Sequence, residues 1–283
     1  MGRLLSLDKI PARLKKQVAW WVLQGRARVL GFQRDGLQRV EEYLCVSLGL
    51  QAPRYTQPLQ RPKHYFGGLT AQPWYDPAGF EWTARLEEGY ETIRGELSRV
   101  CALGYLQPHH QGLADRGRWD VYYLYYLGRR VEENRRRCPQ TAQIVDAIPQ
   151  IASTGLVYFS VLTAGTHIAP HNGPINTRLR CHLGLFVPQD CCMRVGVETR
   201  SWEEGKCLIF DDSFEHEVWN SSQETRIVLV LDIWHPDLTP AETWALDQII
   251  GVSAEARRFF KAVRKNTERA TLEYTSDGRK LAT

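Results

Sequence analysis

The sequence predicts a mainly β protein with flanking helices, its strands forming antiparallel sheets in a sandwich or barrel. Three observations lead there. Short runs rich in β-branched and aromatic residues recur from Val121 to Trp234, with Gly, Pro and Asp between them and few helical stretches interleaved. The run Cys181-His182-Leu183-Gly184-Leu185 alternates strictly, so His182 shares one face of its strand with Arg180 and Gly184. Helical periodicity is confined to the two ends and to one segment ahead of the strands.

In chain order, residues 1–50 read as an N-terminal helical extension whose apolar face continues through Leu37, Val40, Leu44 and Val46 and ends near Gly49. Residues 51–63 carry Pro53, Pro58 and Pro62 among polar side chains, as an extended linker would. The main domain is expected over 64–238. It opens on the aromatic, turn-rich Tyr65–Tyr75 stretch and continues with a helix over Glu81–Val100, where Leu86, Tyr90, Ile93 and Leu97 fall at helical spacing. Strands are predicted at Val121–Leu127, Leu156–Thr163, Arg180–Val187, Met193–Glu198, Cys207–Phe210 and Thr225–Trp234. In the C-terminal helical tail, 239–283, Thr239-Pro240-Ala241-Glu242 is a capping box with proline at the first helical position. A second helix is predicted from Ser253, its basic residues forming a solvated face.

Composition narrows the function classes. A chain of 283 residues with 43% hydrophobic and 24% charged residues can bury a full core. A net charge of +4 without a concentrated basic patch argues against nucleic acid as a partner. The seven cysteines form no CxxC pair and read as a reducing compartment, with Cys181, Cys191, Cys192 and Cys207, in strand-like apolar runs, as small buried hydrophobes. The sequence has no signal-peptide pattern and no apolar run long enough to cross a bilayer, so a cytoplasmic location is expected. The stretch Ile10–Phe32 mixes Trp20, Trp21 and Leu23 with Arg and Lys; it suits packing on its own domain, with peripheral membrane contact as the alternative. The opening Met1-Gly2-Arg3 also fits a loose myristoylation pattern that matches readily by chance.

The chemistry concentrates in two segments, Thr163–Leu185 and Phe210–Trp219, where histidines stand at the ends of strand-like runs. Neutral imidazole suits iron, zinc or copper, but two histidines alone are more often structural than metal-binding. Arg226 changes that balance. It lies ten residues past His216 on the next predicted strand, where a hairpin return would bring its guanidinium towards the metal. A metal with open positions beside an arginine fork is what a 2-oxo acid needs: chelation at one end, a carboxylate clamp at the other.

From about Trp119 to Pro240 the sequence resembles the catalytic domain of the aspartyl/asparaginyl β-hydroxylase family. The shared strings are Gly-Thr-His-Ile-Ala-Pro-His-Asn-Gly-Pro-Ile-Asn (165–176), Arg-Leu-Arg-Cys-His-Leu-Gly-Leu (178–185), Trp-Glu-Glu-Gly-Lys (202–206), Ile-Phe-Asp-Asp-Ser-Phe-Glu-His-Glu-Val-Trp (209–219) and Asp-Ile-Trp-His-Pro-Asp-Leu-Thr-Pro (232–240). The resemblance implies a double-stranded β-helix, a jelly-roll or cupin-like core. It further implies that His171 and His216 bind Fe(II), that Arg226 pairs with the distal carboxylate of 2-oxoglutarate, and that Trp119, Ser160, Arg180 and His182 are further contacts to that co-substrate. The implied reaction couples decarboxylation of 2-oxoglutarate by O2 to hydroxylation of an unactivated carbon. The preferred substrate is an aspartyl or asparaginyl β-carbon in a peptide or protein, or a related small molecule. Lipid acyl-chain hydroxylation is one alternative, and a non-catalytic protein binding metal and 2-oxoglutarate is another. A zinc hydrolase would also use two histidines and a water, but leaves Arg226 without a purpose.

One feature that the family shares and one departure from it matter. In the wider oxygenase group a carboxylate stands two residues after the first histidine, but here His171 is followed by Asn172 and Gly173. Glycine supplies no ligand, so water would complete the metal shell, with Asp211 and Asp212 as candidates to orient it or to form the turn. The stretch Arg129–Pro139 resembles a loop that the family closes with a disulfide, yet holds only Cys138.

Overall fold

The computed structural model describes residues 34–109, 112–149, 151 and 153–250, together with Gln17 and Trp20. The rest of the N-terminal helix with its membrane-facing alternative, the myristoylation-like opening and the helix from Ser253 lie outside the described residues. In chain order the elements are α1 (Gln38–Ser47), β1 (Trp74–Tyr75), α2 (Trp82–Glu88), α3 (Tyr90–Ala102), β2 (Gln107–Pro108), β3 (Ala114–Arg116), β4 (Trp119–Tyr126), β5 (Arg129–Arg130), α4 (Glu132–Arg137) and α5 (Pro139–Asp146). Then follow β6 (Val157–Leu162), β7 (His167–His171), β8 (Arg178–Phe186), β9 (Cys191–Val195), β10 (Glu198–Arg200), β11 (Cys207–Phe210), β12 (His216–Asn220), β13 (Arg226–Trp234) and α6 (Pro240–Ile250).

These strands make two antiparallel sheets. The larger runs β1-β11-β8-β13-β6-β4-β2, with β5 beside β4, and the smaller runs β10-β9-β12-β7-β3. From β6 onwards the chain alternates between them: β6, β8, β11 and β13 lie in the larger sheet, and β7, β9 and β12 in the smaller. That alternation is the double-stranded β-helix.

Both faces of the larger sheet are covered, which explains why β13 reads as a nearly unbroken apolar run rather than an alternating one. On its outer face Phe159, Leu183, Leu229 and Leu231 pack against Leu86 of α2, Ile93 and Leu97 of α3 and Val145 of α5. On its inner face Val121, Tyr158, Leu162 and Val228 meet Ile168, Met193, Val195 and Val218 of the smaller sheet. The helices α1 and α6 form a separate cluster through Val40, Leu44, Ala245 and Leu246.

Two sequence expectations change. The helix predicted over Glu81–Val100 is broken at Gly89, where a Cβ would lie 2.7 Å from Ile144 Cδ1 of α5; the chain steps aside there to let α5 pack. The expected hairpin between His216 and Arg226 is a crossing from the smaller sheet to the larger, since β12 pairs with β7 and β9 while β13 pairs with β6 and β8. It still returns Arg226 to the cavity between the sheets.

Candidate active site

The last residue of β7 and the first of β12 are His171 and His216. The two strands are antiparallel neighbours that pair these residues directly, so the imidazoles lie side by side with ring centroids 4.1 Å apart. Each ring is fixed in the same way: Nδ1 of His171 donates to the Ala169 carbonyl at 2.8 Å, and Nδ1 of His216 to the Phe214 carbonyl at 3.0 Å. A carbonyl only accepts, so each proton sits on Nδ1 and the Nε2 lone pair is left to bind a metal. Burial lowers the pKa of both, and for His216 the neighbouring His171 adds to it; both rings are held in the neutral, ligating form. Among the described residues no cluster of three His, Cys, Asp or Glu side chains is arranged to hold a metal.

Across the chamber stands Arg226, the first residue of β13 and 1% exposed. No carboxylate lies within ion-pair distance of it among the described residues. Its Nη1 is 3.4 Å from both the carbonyl and the Oγ of Ser160, its guanidinium carbon lies 4.6 Å from the Trp202 ring centroid, and its Nε has no partner. Burial pulls its pKa down to about 10, so it remains a cation at neutral pH. A buried cation without an acid is costly unless an anion joins it. The groups beside it are donors. Ser160 Oγ accepts from Trp119 Nε1 at 3.0 Å, which leaves its own hydroxyl hydrogen for a ligand. His182 Nδ1 accepts from Trp202 Nε1 at 3.1 Å, so its proton is on Nε2; burial first, then Arg226, depresses its pKa well below the ordinary value.

Arg180 is balanced differently. Its Nε donates to Asp232 Oδ1 at 3.0 Å and its Nη1 lies 3.1 Å from Asp212 Oδ2. Arg178 shares Asp232 at 3.2 Å. The Asp212 carboxylate also fills the space above Gly173, where an added Cβ would lie 2.5 Å from Oδ1, while the Gly173 amide donates to the Asp212 carbonyl at 2.6 Å. An acid from the other histidine's turn, paired with Arg180, thus occupies the place that a side chain at 173 would take.

All seven residues singled out from the sequence, Trp119, Ser160, His171, Arg180, His182, His216 and Arg226, line this one chamber. It opens into an outer cavity of about 400 Å³ bordered by His109, Tyr158, Arg178, Arg180 and Asp212. Trp119 is further held by His109, stacked on it at 3.6 Å. Sequence reasoning missed Asp232, Trp202, Arg178 and Tyr158. Asp232 carried a signal, as a lone acid inside an apolar strand that has to be paired when buried; Trp202 opens one of the shared strings, 202–206, but nothing in that string pointed to an indole beside Arg226.

Comparison with known proteins agrees with this geometry. Residues 87–236 match the family model described as Aspartyl/Asparaginyl beta-hydroxylase. Aspartyl/asparaginyl beta-hydroxylase of Homo sapiens is 39% identical over 226 residues, 76% of this chain and 30% of that protein. Ornithine lipid ester-linked acyl 2-hydroxylase of Rhizobium tropici is 38% identical over 193 residues, 64% of this chain and 68% of that protein. Aspartate beta-hydroxylase domain-containing protein 2 of Homo sapiens is 37% identical over 176 residues, 58% of this chain and 47% of that protein. The chain thus spans about a third of the length of the human hydroxylase it matches. With its histidine pair, its arginine and its alternating sheets accounted for, the chain belongs to the aspartyl/asparaginyl β-hydroxylase family.

Proposed function

We propose that the chain is an Fe(II)- and 2-oxoglutarate-dependent dioxygenase that hydroxylates a methylene carbon next to a carbonyl group. The observation that carries this reading is Arg226, a buried guanidinium with no acid partner among the described residues, in the same chamber as two neutral histidines. The donor set fits the group it would hold. Two Nε2 lone pairs and no protein carboxylate leave most of an iron shell open for a chelating 2-oxo acid, dioxygen and water. When bound, iron would supply the activation of O2 that couples loss of CO2 from 2-oxoglutarate to oxygen insertion.

The chain's own residues hold and orient. Arg226 would clamp the distal carboxylate of 2-oxoglutarate as a fork, with the Ser160 hydroxyl and the His182 Nε2–H as further donors. Trp119 holds Ser160, and Trp202 fixes the His182 tautomer while stacking under Arg226. The inner walls between the sheets are apolar, through Ile168, Met193 and Val230, and keep bulk water from the reacting groups.

The substrate would enter from the outer cavity, where Arg178 and Arg180 stand with Asp212 and Tyr158. Its preferred class is an aspartyl or asparaginyl residue in a peptide or protein, or a related small molecule, whose β-carbon adjoins the side-chain carbonyl. A second reading rests on the Rhizobium tropici relative: C2 of an acyl chain likewise adjoins a carbonyl, so a lipid acyl group presents the same chemistry to the same arginines. Among the described residues no helix is long and apolar enough to cross a membrane, and lipid would be met at a surface.

The test is succinate formation by the purified full chain with Fe(II), ascorbate and 2-oxoglutarate, alone and with panels of aspartyl and asparaginyl peptides, free amino acids and lipid extracts. Stimulation by peptide with one oxygen atom added to it supports the preferred class, and stimulation by lipid alone selects the second. A full chain that binds 2-oxoglutarate with metal but forms no iron-dependent succinate is a binding protein, and the reading fails.

A further inference from the structure

Residues 59–66, at the end of the segment expected as a linker, lie across both turns that carry the histidines. On the His216 side, Gln60 pairs with Phe214 in an antiparallel bridge, the Glu215 amide donates to the Leu59 carbonyl at 2.8 Å, and the Arg61 amide to the Ser213 carbonyl at 3.2 Å. On the His171 side, the His64 amide donates to the Pro174 carbonyl at 2.9 Å. Asn176 closes the end of this contact, accepting from the Phe66 amide at 2.7 Å and donating to its carbonyl at 2.9 Å.

Two side chains join the parts. Gln60, buried, donates from Nε2 to Asp211 Oδ2 at 2.8 Å and to Ser213 Oγ at 3.1 Å. Asn172, the residue after the first histidine, donates from Nδ2 to the Leu59 carbonyl at 3.1 Å and to the Ser213 carbonyl at 2.9 Å. One amide group thus ties together the His171 turn, the His216 turn and the segment lying over them. The chain of contacts ends at the ligands, because Phe214, gripped through Gln60, supplies the carbonyl that fixes the His216 ring.

We propose that Gln60 and Asn172 are positioning residues for the metal: residues 59–66 act as a clip that sets the spacing and ring orientation of His171 and His216, and Asn172 is its fastening. The proposal rests on the reading of these histidines as metal ligands. It assigns a purpose to a segment that lies outside the matched family region, 87–236. It also explains physically how a two-ligand site keeps its geometry without a third protein ligand. Partners that orient metal-binding histidines contribute roughly 10- to 100-fold to metal affinity.

The experiment is a Co(II) titration of the full chain, followed by visible absorption and calorimetry, with melting of the metal-free protein in chelator measured alongside. The variants are Gln60→Ala, Asn172→Ala, the milder Asn172→Ser, and His171→Ala as the ligand control. Co(II) affinity is expected to fall roughly 10- to 100-fold in the Gln60 and Asn172 variants, with an altered Co(II) spectrum, while the metal-free proteins remain folded. Should an alanine variant fail to fold, Asn172→Ser, which also lacks the double donor, is read on the same scale. Wild-type affinity and spectrum in folded Gln60 and Asn172 variants, with His171→Ala unable to bind, overturn the clip and leave the metal site standing. Wild-type affinity in His171→Ala overturns the metal reading itself, and the clip with it.

Discussion

Arg226 is the residue on which the chemistry turns. Of the three arginines around the site, Arg178 and Arg180 share Asp232 and Asp212, whereas Arg226 has a serine, an indole face and an unpartnered Nε. Replacing it with lysine keeps the charge and loses the fork. Arg226→Lys is expected to raise the 2-oxoglutarate requirement by about 10- to 100-fold, the value of a charge-assisted hydrogen bond, and to leave Co(II) affinity unchanged. Steady-state kinetics paired with metal titration checks both parts; a loss of metal affinity with an unchanged 2-oxoglutarate requirement would assign Arg226 to the wrong partner. The residues legible in the sequence were His171 and His216, which stand in long unusual strings, and Arg226, from its place ten residues past His216 on the next predicted strand. Arg180 was legible as a member of the site but not its ion pairs, because Asp232 and Asp212 come from a distant strand and turn and only the sheet register brings them together.

At the scale of elements, the two histidine turns are built around acids that are not ligands. Asp212 occupies the space over Gly173, so Gly173→Ala forces a methyl group into a carboxylate. A loss of about 1–3 kcal/mol and weaker Co(II) binding are expected, with partial recovery of the melting temperature when Asp212→Ala is added. Unchanged melting in Gly173→Ala would contradict this packing. Asp211 is buried beside Gln60 and Ser213 with no ion pair among the described residues, and burial pushes its pKa up to about 7. The folded state therefore holds a proton that the unfolded carboxyl, with its ordinary value of 3.8, has released. This contribution to stability is complete below the unfolded value and is lost as pH rises through about 7. Asp211→Asn removes it, so the variant is expected to gain in melting temperature relative to the native chain between pH 5.5 and 8.5 (roughly the flanks of that titration); a constant difference would refute the assignment. The strands β4, β6, β8, β11 and β13 were legible from apolar runs. The strand that carries His171 was not, since β7 holds Pro170 and is half-buried along most of its length.

For the whole molecule, α1 and α6, which lie outside the two sheets, are joined by a buried carboxylate beside their shared apolar cluster. Glu242 of α6, 3% exposed, accepts from Arg39 Nε at 2.8 Å and Nη2 at 2.7 Å, and from the Thr239 amide at 2.9 Å, as the capping box in the sequence indicated. Arg39 of α1 also reaches the carbonyls of Gly68 and Asp237. Glu242→Ala is expected to cost about 2 kcal/mol in denaturant unfolding with Co(II) affinity retained, since the α1–α6 cluster is separate from the cavity between the sheets. Equal loss of metal binding would show that the helices support the site directly. The sandwich itself was legible from short apolar runs with Gly, Pro and Asp between them and few helices interleaved. The docking of residues 59–66 across the histidine turns was not, because its partners are distant in the sequence and its polar side chains, Gln60 among them, read as those of an extended linker.

The central claim, that His171 and His216 hold an iron which works with 2-oxoglutarate clamped by Arg226, is tested most directly by iron-dependent succinate formation in the native chain, His171→Ala and His216→Ala. The account expects turnover that chelation abolishes, Fe(II) restores and zinc does not, with none in either histidine variant. Full turnover by either variant would contradict it.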